Sequence, residues 1–180
     1  GPLMVGVTTF MYEGSPDTPD YGRMWDMIQR HKITQLYTAP TLIRMLLKQG
    51  DEWPAKHDLS SLRLLGTVGE PINVDAWMWY FEKIGGGRCP IIDTWWQTET
   101  GANMVNNLPG IGPFIPTVAG RGFPGIIGDI LDSSGQPTKV GEGGYLAIYA
   151  PFPPALTRGI RGDMERFRAQ YFSDYGPERY

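Results

Sequence analysis

LRLLGTVGEPINVDAWMWYFEKIGGGRCPIIDTWW, residues Leu62–Trp96, is the stretch that decides the fold. Leu62–Val68 (LRLLGTV) is an apolar strand-like run, and Gly69-Glu70-Pro71 turn the chain. Asp75–Ile84 (DAWMWYFEKI) then reads as a helix stopped by Gly85-Gly86-Gly87, and Pro90–Trp95 opens a second strand. Strands joined through a helix pair in parallel, because a parallel neighbour needs a crossover of about a dozen residues or more. The same alternation extends upstream. Met24, Trp25, Met27 and Ile28 recur at helical spacing in a helix expected from about Tyr21 to His31, with Asp20 as its N-cap. Ile33–Thr38 reads as a strand, and Thr41–Lys48 as a helix closed by Gly50. Val5–Tyr12 (VGVTTFMY), β-branched and aromatic, is expected to be a further strand ending in the turn Glu13-Gly14-Ser15-Pro16. From Leu108 the texture changes to short strands, Ile126–Leu131 and Gly144–Ala150, set apart by Gly and Pro, and a short helix near Asp163–Tyr171. The reading is α/β: a parallel βαβ sheet layer with helices over 1–106, followed by a β-hairpin-rich segment with a short helix over 107–180.

Composition bounds the function class. Gly and Pro number 24 and 16 of 180 residues, a dose that would suit low complexity, but 41 % apolar residues with six Trp and nine Tyr can bury a core. A net charge of −3 with dispersed Lys and Arg supplies no footprint for nucleic acid or an anionic membrane. No apolar run approaches the roughly 20 residues of a membrane span, and no signal-peptide pattern opens the chain. The single Cys89 fits a reducing compartment, so a cytoplasmic protein is expected. It precedes Pro90 at a strand entry and reads as a small buried hydrophobe. His31 and His57 read as surface residues at helix ends, Asp129 and Asp132 as hairpin-turn residues, and Arg158, Arg161, Arg166 and Arg168 as solvated surface.

In parallel sheets ligands bind beyond the carboxyl ends of strands, which directs attention to two loops. In Thr67-Val68-Gly69-Glu70-Pro71, Gly69 permits close backbone approach to a ligand; a plain strand-to-helix turn would use the same residues. In Asp93-Thr94-Trp95-Trp96-Gln97-Thr98-Glu99-Thr100-Gly101, adjacent indoles point to opposite faces of a strand, so one of them can wall a pocket. The hydroxyls there can donate to phosphate oxygens, and Glu99 suits Mg²⁺, which favours carboxylates combined with substrate phosphates. A Trp-rich corner with solvated neighbours is the other reading.

TVGEPIN (Thr67–Asn73) and DTWWQTETG (Asp93–Gly101), separated by AWMWYFEKIG, closely resemble the AMP-forming acetyl-coenzyme A synthetases of the adenylate-forming enzyme superfamily. GPLMVGVTTFMYEG (Gly1–Gly14), YTAPTLIR (Tyr37–Arg44) and GDMERF (Gly162–Phe167) fit the same family in the same order, so the resemblance runs along the whole chain. On its own Gly1-Pro2 reads as a cleavage scar; under the resemblance it reads as native sequence. The resemblance implies part of an AMP-binding N-terminal domain. It also implies a ligase that joins acetate to ATP, giving acetyl-AMP and pyrophosphate, and then transfers the acetyl group to coenzyme A. Gly69, Glu70 and Pro71 would line the adenine and ribose side, and Asp93, Thr94, Trp95, Trp96, Gln97 and Thr98 would continue the ATP site, with Thr98 near the α-phosphate. Val68, Gly69 and Trp96 would form the acyl pocket, Glu99 would lie at Mg²⁺, and Asp17 and Ala39 would lie on the coenzyme A side. The expected ligands are therefore ATP, Mg²⁺, coenzyme A and acetate.

Departures accompany the match. Asp17 stands where the family has a neutral Asn, Ala102 replaces a second glycine, and Gly122 lies near a position that is usually proline. A phosphate loop ending in Lys-Gly, a ribose-binding aspartate and a catalytic lysine are all missing from these 180 residues. The chain thus reads as an internal fragment, with no catalytic residue of its own and expected to be inactive in isolation. A synthetase for propionate or another short acid, and a non-catalytic nucleotide-binding or interaction module, are the alternatives.

Overall fold

The computed structural model describes residues 2–180, so Gly1 of the Gly1-Pro2 pair lies outside the described residues. The chain folds as two compact units. The first comprises the residues up to Asp93 together with Leu108–Val118, and the second Thr94–Asn107 with Ala119–Tyr180.

In the first unit, helices α1 (Arg23–His31), α2 (Pro40–Leu47), α3 (Glu52–Ala55) and α4 (Val74–Trp79) alternate with strands β1 (Gln35–Thr38), β2 (Leu64–Val68) and β3 (Ile91–Thr94). The strands form one parallel sheet in the order β1-β2-β3, with Leu36 opposite Leu65 and Thr38 opposite Thr67. The expected βαβ layer is thus present, with elements trimmed at their ends. The N-cap of α1 is Gly22 rather than Asp20, although the Asp20 carboxylate accepts the Gly22 N–H at 2.8 Å and so braces the entry. The expected strand Val5–Tyr12 is absent: Pro2–Val5 form a 3-10 turn, and the residues after it have no ladder partner. A β-prone sequence becomes a strand only where another strand can pair with it.

The core of this unit packs Trp25, Ile28, Ile43, Leu62, Leu65, Ile72, Tyr80, Ile84 and Ile91 between sheet and helices. Trp25 meets Trp79 edge-on at 6.2 Å, and the Trp79 indole N–H donates to Asp51 at 2.8 Å. Lys83 pairs with the other Asp51 oxygen at 2.9 Å, and the two bonds hold the Asp51 carboxyl below the usual range. After Trp79 the helix widens into one π turn, Tyr80–Ile84, where Gly85 N–H reaches back to the Tyr80 carbonyl. This turn seats the buried Tyr80 hydroxyl, which donates to the Leu36 carbonyl at 2.9 Å, and burial pushes its pKa up. Cys89 is buried as expected, its thiol donating to the Leu62 carbonyl at 3.2 Å.

In the second unit, β4 (Gly128–Leu131) and β5 (Tyr145–Ile148) form an antiparallel pair with Leu131 opposite Tyr145. Asp132 closes the adjoining turn by accepting from Ser134 N–H at 2.8 Å and Gln136 N–H at 3.0 Å. Tyr180 exchanges backbone hydrogen bonds with Ile148 at 2.7 and 2.9 Å, which places the last residues alongside β5. Helix α5 (Met164–Tyr171) begins at Asp163, whose carboxylate accepts the Arg166 N–H at 2.9 Å, as an N-cap should. Met104, Leu131, Ala147, Ile148, Leu156 and Phe167 are buried here.

Candidate functional site

Parallel β1 and β2 release the chain at the same sheet edge, and that edge receives Ala39 directly after β1 and Gly69-Glu70-Pro71 directly after β2. Gly69 sits at φ +92°, in the region that favours glycine, and a Cβ there would project into open space. It is the backbone path, not crowding, that requires glycine. Glu70 turns back to helix α2. Ala39 is the N-cap of α2 and, being alanine, offers its first turn no side-chain acceptor. The Glu70 carboxylate supplies it instead, accepting the Thr41 N–H at 2.8 Å and the Thr41 hydroxyl, while its second oxygen pairs with Arg44. The Thr41 hydroxyl first, and Arg44 second, hold the Glu70 carboxyl below the usual carboxylate range.

Asp93, near the end of β3, accepts the Thr67 hydroxyl at 2.8 Å, tying β3 to β2 just before both strands end. Val68 is half-buried at the end of β2. Asp17 lies in the loop before α1, where it accepts the Ser15 hydroxyl. That loop is laced down by Arg23, whose guanidinium donates to the carbonyls of Ser15 at 2.8 Å and Thr18 at 2.9 Å, and to Glu13. The first unit therefore brings Ala39, Val68, Gly69, Glu70, Pro71 and Asp93 to one end of its sheet.

The rest of the expected set lies in the second unit. Thr94 is buried and Trp95 half-buried, with the Trp95 N–H donating to the Val105 carbonyl at 2.9 Å. Trp96, Gln97 and Thr98 are exposed, and the Trp96 side chain is 40 % accessible, as the splaying of neighbouring indoles requires. Thr100 is fully buried and organises the turn, accepting the Gln97 N–H at 2.9 Å and donating towards the Ala102 carbonyl at 3.0 Å. Gly101 has φ +67°, and a Cβ there would lie 2.6 Å from the Ala155 carbonyl oxygen.

Glu99 is half-buried. Its carbonyl accepts the Thr157 N–H at 2.7 Å, and its Oε1 accepts the Tyr171 hydroxyl at 3.0 Å. The Tyr180 hydroxyl donates to the Gln97 side-chain oxygen at 3.1 Å. The bond to Glu99 raises the Tyr171 pKa, and burial pushes that of Tyr180 up to about 12. Sequence reasoning missed Thr41, Arg44, Tyr171 and Tyr180, all of which touch residues it had singled out. No local motif carries them, since each partner lies at least 26 residues away.

A groove of about 900 Å³ in the first unit lies among Phe10, Arg23, Arg30, His31, Trp53 and His57. Its cations already have partners: Arg23 the loop carbonyls, Arg30 the Asp26 carboxylate, and Lys56 the Trp53 ring at 4.7 Å. Among the described residues, no three His, Cys, Asp or Glu gather to hold a metal ion, and no helix is long and apolar enough to cross a membrane.

Comparison with known proteins bears on both loops. The family model described as AMP-binding enzyme matches residues 1–160. The chain belongs to the AMP-binding enzyme family. Among curated members, the acetyl-coenzyme A synthetase of Thiobacillus denitrificans is 57 % identical over 174 residues, 97 % of this chain and 26 % of the relative. That of Chlorobaculum tepidum is 55 % identical over 97 % of this chain and 26 % of the relative, and that of Rhodopirellula baltica 55 % over 100 % and 26 %. The chain thus spans about a quarter of the length of the curated relatives it matches. Both loops, Val68–Pro71 and Asp93–Glu99, fall within the family match, whereas Tyr171 and Tyr180 lie beyond its end.

Proposed function

We propose that the protein carrying this chain is an AMP-forming acetate–CoA ligase, and that this chain contributes loops of its nucleotide and acyl sites. The observation that carries the reading is 55–57 % identity, over nearly the whole chain, to proteins named acetyl-coenzyme A synthetase. In the proposed reaction an acetate oxygen attacks the α-phosphorus of ATP and pyrophosphate leaves. The thiol of coenzyme A then attacks the acetyl carbonyl, and AMP leaves.

The roles assigned to this chain are those of positioning. Gly69-Glu70-Pro71 would present backbone to the adenine and ribose. With its carboxylate held by Thr41 and Arg44, Glu70 acts by fixing this loop to the start of α2, which also carries Ala39 on the coenzyme A side. Asp93 to Gln97 would continue the nucleotide site, and the exposed Thr98 hydroxyl would donate to the α-phosphate. Val68, Gly69 and Trp96 would bound the acyl pocket, where the indole removes the volume that extra methylenes need. Asp17 fits the coenzyme A side poorly, because a carboxylate facing a polyphosphate is repelled; it would act through its bond to Ser15.

A lone, half-exposed carboxylate suits Mg²⁺, which takes one or two carboxylates and completes its shell with phosphate and water oxygens, so Glu99 would hold it. When bound, Mg²⁺ supplies charge neutralisation to the triphosphate. The acyl assignment is tested by Trp96→Gly in the full-length protein, which should move kcat/KM from acetate towards propionate and longer acids. Unchanged selectivity would remove Trp96 from the pocket.

A further inference from the structure

Two tyrosines outside the motif loops converge on them. Helix α5 carries Phe167 and Tyr171 one turn apart, so they share a face, and their rings lie 5.4 Å from each other. Phe167 is buried and anchors that face. Tyr180 stacks on Tyr171 with ring centroids 5.6 Å apart and planes at 19°, and Phe172 meets Tyr180 edge-on at 6.1 Å. Backbone pairing with Ile148 fixes Tyr180 from behind. The stacked pair presents two hydroxyls to alternate residues of the loop, Tyr171 to Glu99 at 3.0 Å and Tyr180 to Gln97 at 3.1 Å.

We propose that Tyr171 and Tyr180 are positioning residues for the phosphate end of the ATP site: Tyr171 fixes the Glu99 carboxylate for Mg²⁺ and Tyr180 fixes the Gln97 amide. This rests on the reading of Glu99 as the Mg²⁺ carboxylate. A free glutamate samples several rotamers, whereas one whose Oε1 is held by a rigid phenol presents its second oxygen in a single direction. A phenol ordinarily keeps its proton at neutral pH, and both hydroxyls lie at donor distance from a loop acceptor. They remain donors, so they neither compete with Glu99 for the cation nor add charge beside it.

The test uses the full-length protein and Mn²⁺ as a paramagnetic stand-in for Mg²⁺, with free Mn²⁺ read by electron paramagnetic resonance in the presence of ATP. Tyr171→Phe keeps the ring stack and removes only the hydroxyl. It should weaken Mn²⁺ binding about 10-fold, the lower end for loss of an outer-shell partner, with the KM for acetate unchanged. Tyr180→Phe should raise the KM for ATP about 3-fold and leave Mn²⁺ affinity alone. Glu99→Gln should weaken Mn²⁺ binding at least as much as Tyr171→Phe, and the double variant should be no worse than Glu99→Gln. If Glu99→Gln binds Mn²⁺ like the parent, the metal reading of Glu99 falls and the proposal with it. If Glu99→Gln weakens binding but Tyr171→Phe does not, or their effects add, the positioning role alone is overturned. A lowered unfolding midpoint in Tyr171→Phe with Mn²⁺ affinity intact would make the tyrosine merely structural, and would equally overturn it.

Discussion

Gly69 and Gly101 both have positive φ in loops given to the nucleotide site, yet they differ in what surrounds them, and this difference makes a sharp test. At Gly69, φ is +92° and an added Cβ meets open space. Alanine there carries only the conformational penalty, roughly 1–2 kcal/mol. At Gly101, φ is +67° and the Cβ would sit 2.6 Å from the Ala155 carbonyl oxygen, a backbone atom that cannot swing aside. Gly101→Ala therefore adds an overpacking cost of about 1–3 kcal/mol to the same conformational penalty. At about 3 °C per kcal/mol for a chain of this size, the melting temperature should fall roughly 10 °C for Gly101→Ala and roughly 4 °C for Gly69→Ala. The assay is thermal unfolding followed by Trp fluorescence. Function should order the pair differently, because the Cβ of Gly69→Ala projects into the open space where we propose that the nucleotide lies. ATP affinity should therefore fall in Gly69→Ala beyond anything its modest loss of stability explains. Equal melting temperatures for the two variants would refute the clash with Ala155, and unchanged ATP affinity in Gly69→Ala would refute the placing of the nucleotide at that loop.

Three further outcomes are expected. Tyr80→Phe leaves the Leu36 carbonyl without its buried donor and should destabilise by about 1–2 kcal/mol in equilibrium denaturation, with no change in ATP affinity. The Glu70 carboxyl is depressed in the folded chain, so its contribution to stability is complete above about pH 5 and disappears as pH falls through the folded value. The denaturation midpoints of wild type and Glu70→Gln should therefore differ at pH 7 and converge as the pH falls through the depressed folded value; a constant gap would refute the charge-assisted anchoring to Thr41 and Arg44. The 180-residue chain by itself should give no acetate-dependent pyrophosphate exchange, since no Lys-Gly phosphate loop is among its residues.

The sheet layer was legible because its signals are local. LRLLGTV and PIID are apolar runs with Gly or Pro beside them, and the triple glycine marks the end of the helix between them. Where an outcome depends on a partner distant in sequence, the reading failed. Val5–Tyr12 has the composition of a strand but finds no pairing partner, and the π turn at Tyr80–Ile84 coincides with a hydroxyl bonded to a carbonyl 44 residues earlier. α3 escaped notice because it is a single turn with Pro54 inside it.

The site divides in the same way. Gly69, Trp96 and Glu99 stand out by type and position in a loop. That Glu70 completes the start of α2, and that Tyr171 and Tyr180 reach Glu99 and Gln97, are matters of packing that no spacing rule encodes.

The central proposal is that the protein carrying this chain activates acetate with ATP. Its most direct test is exchange of labelled pyrophosphate into ATP by the full-length protein, with acetate, propionate or no acid added. Exchange that requires an acid and is fastest with acetate is the predicted result; exchange without any acid, or none with acetate, would contradict it.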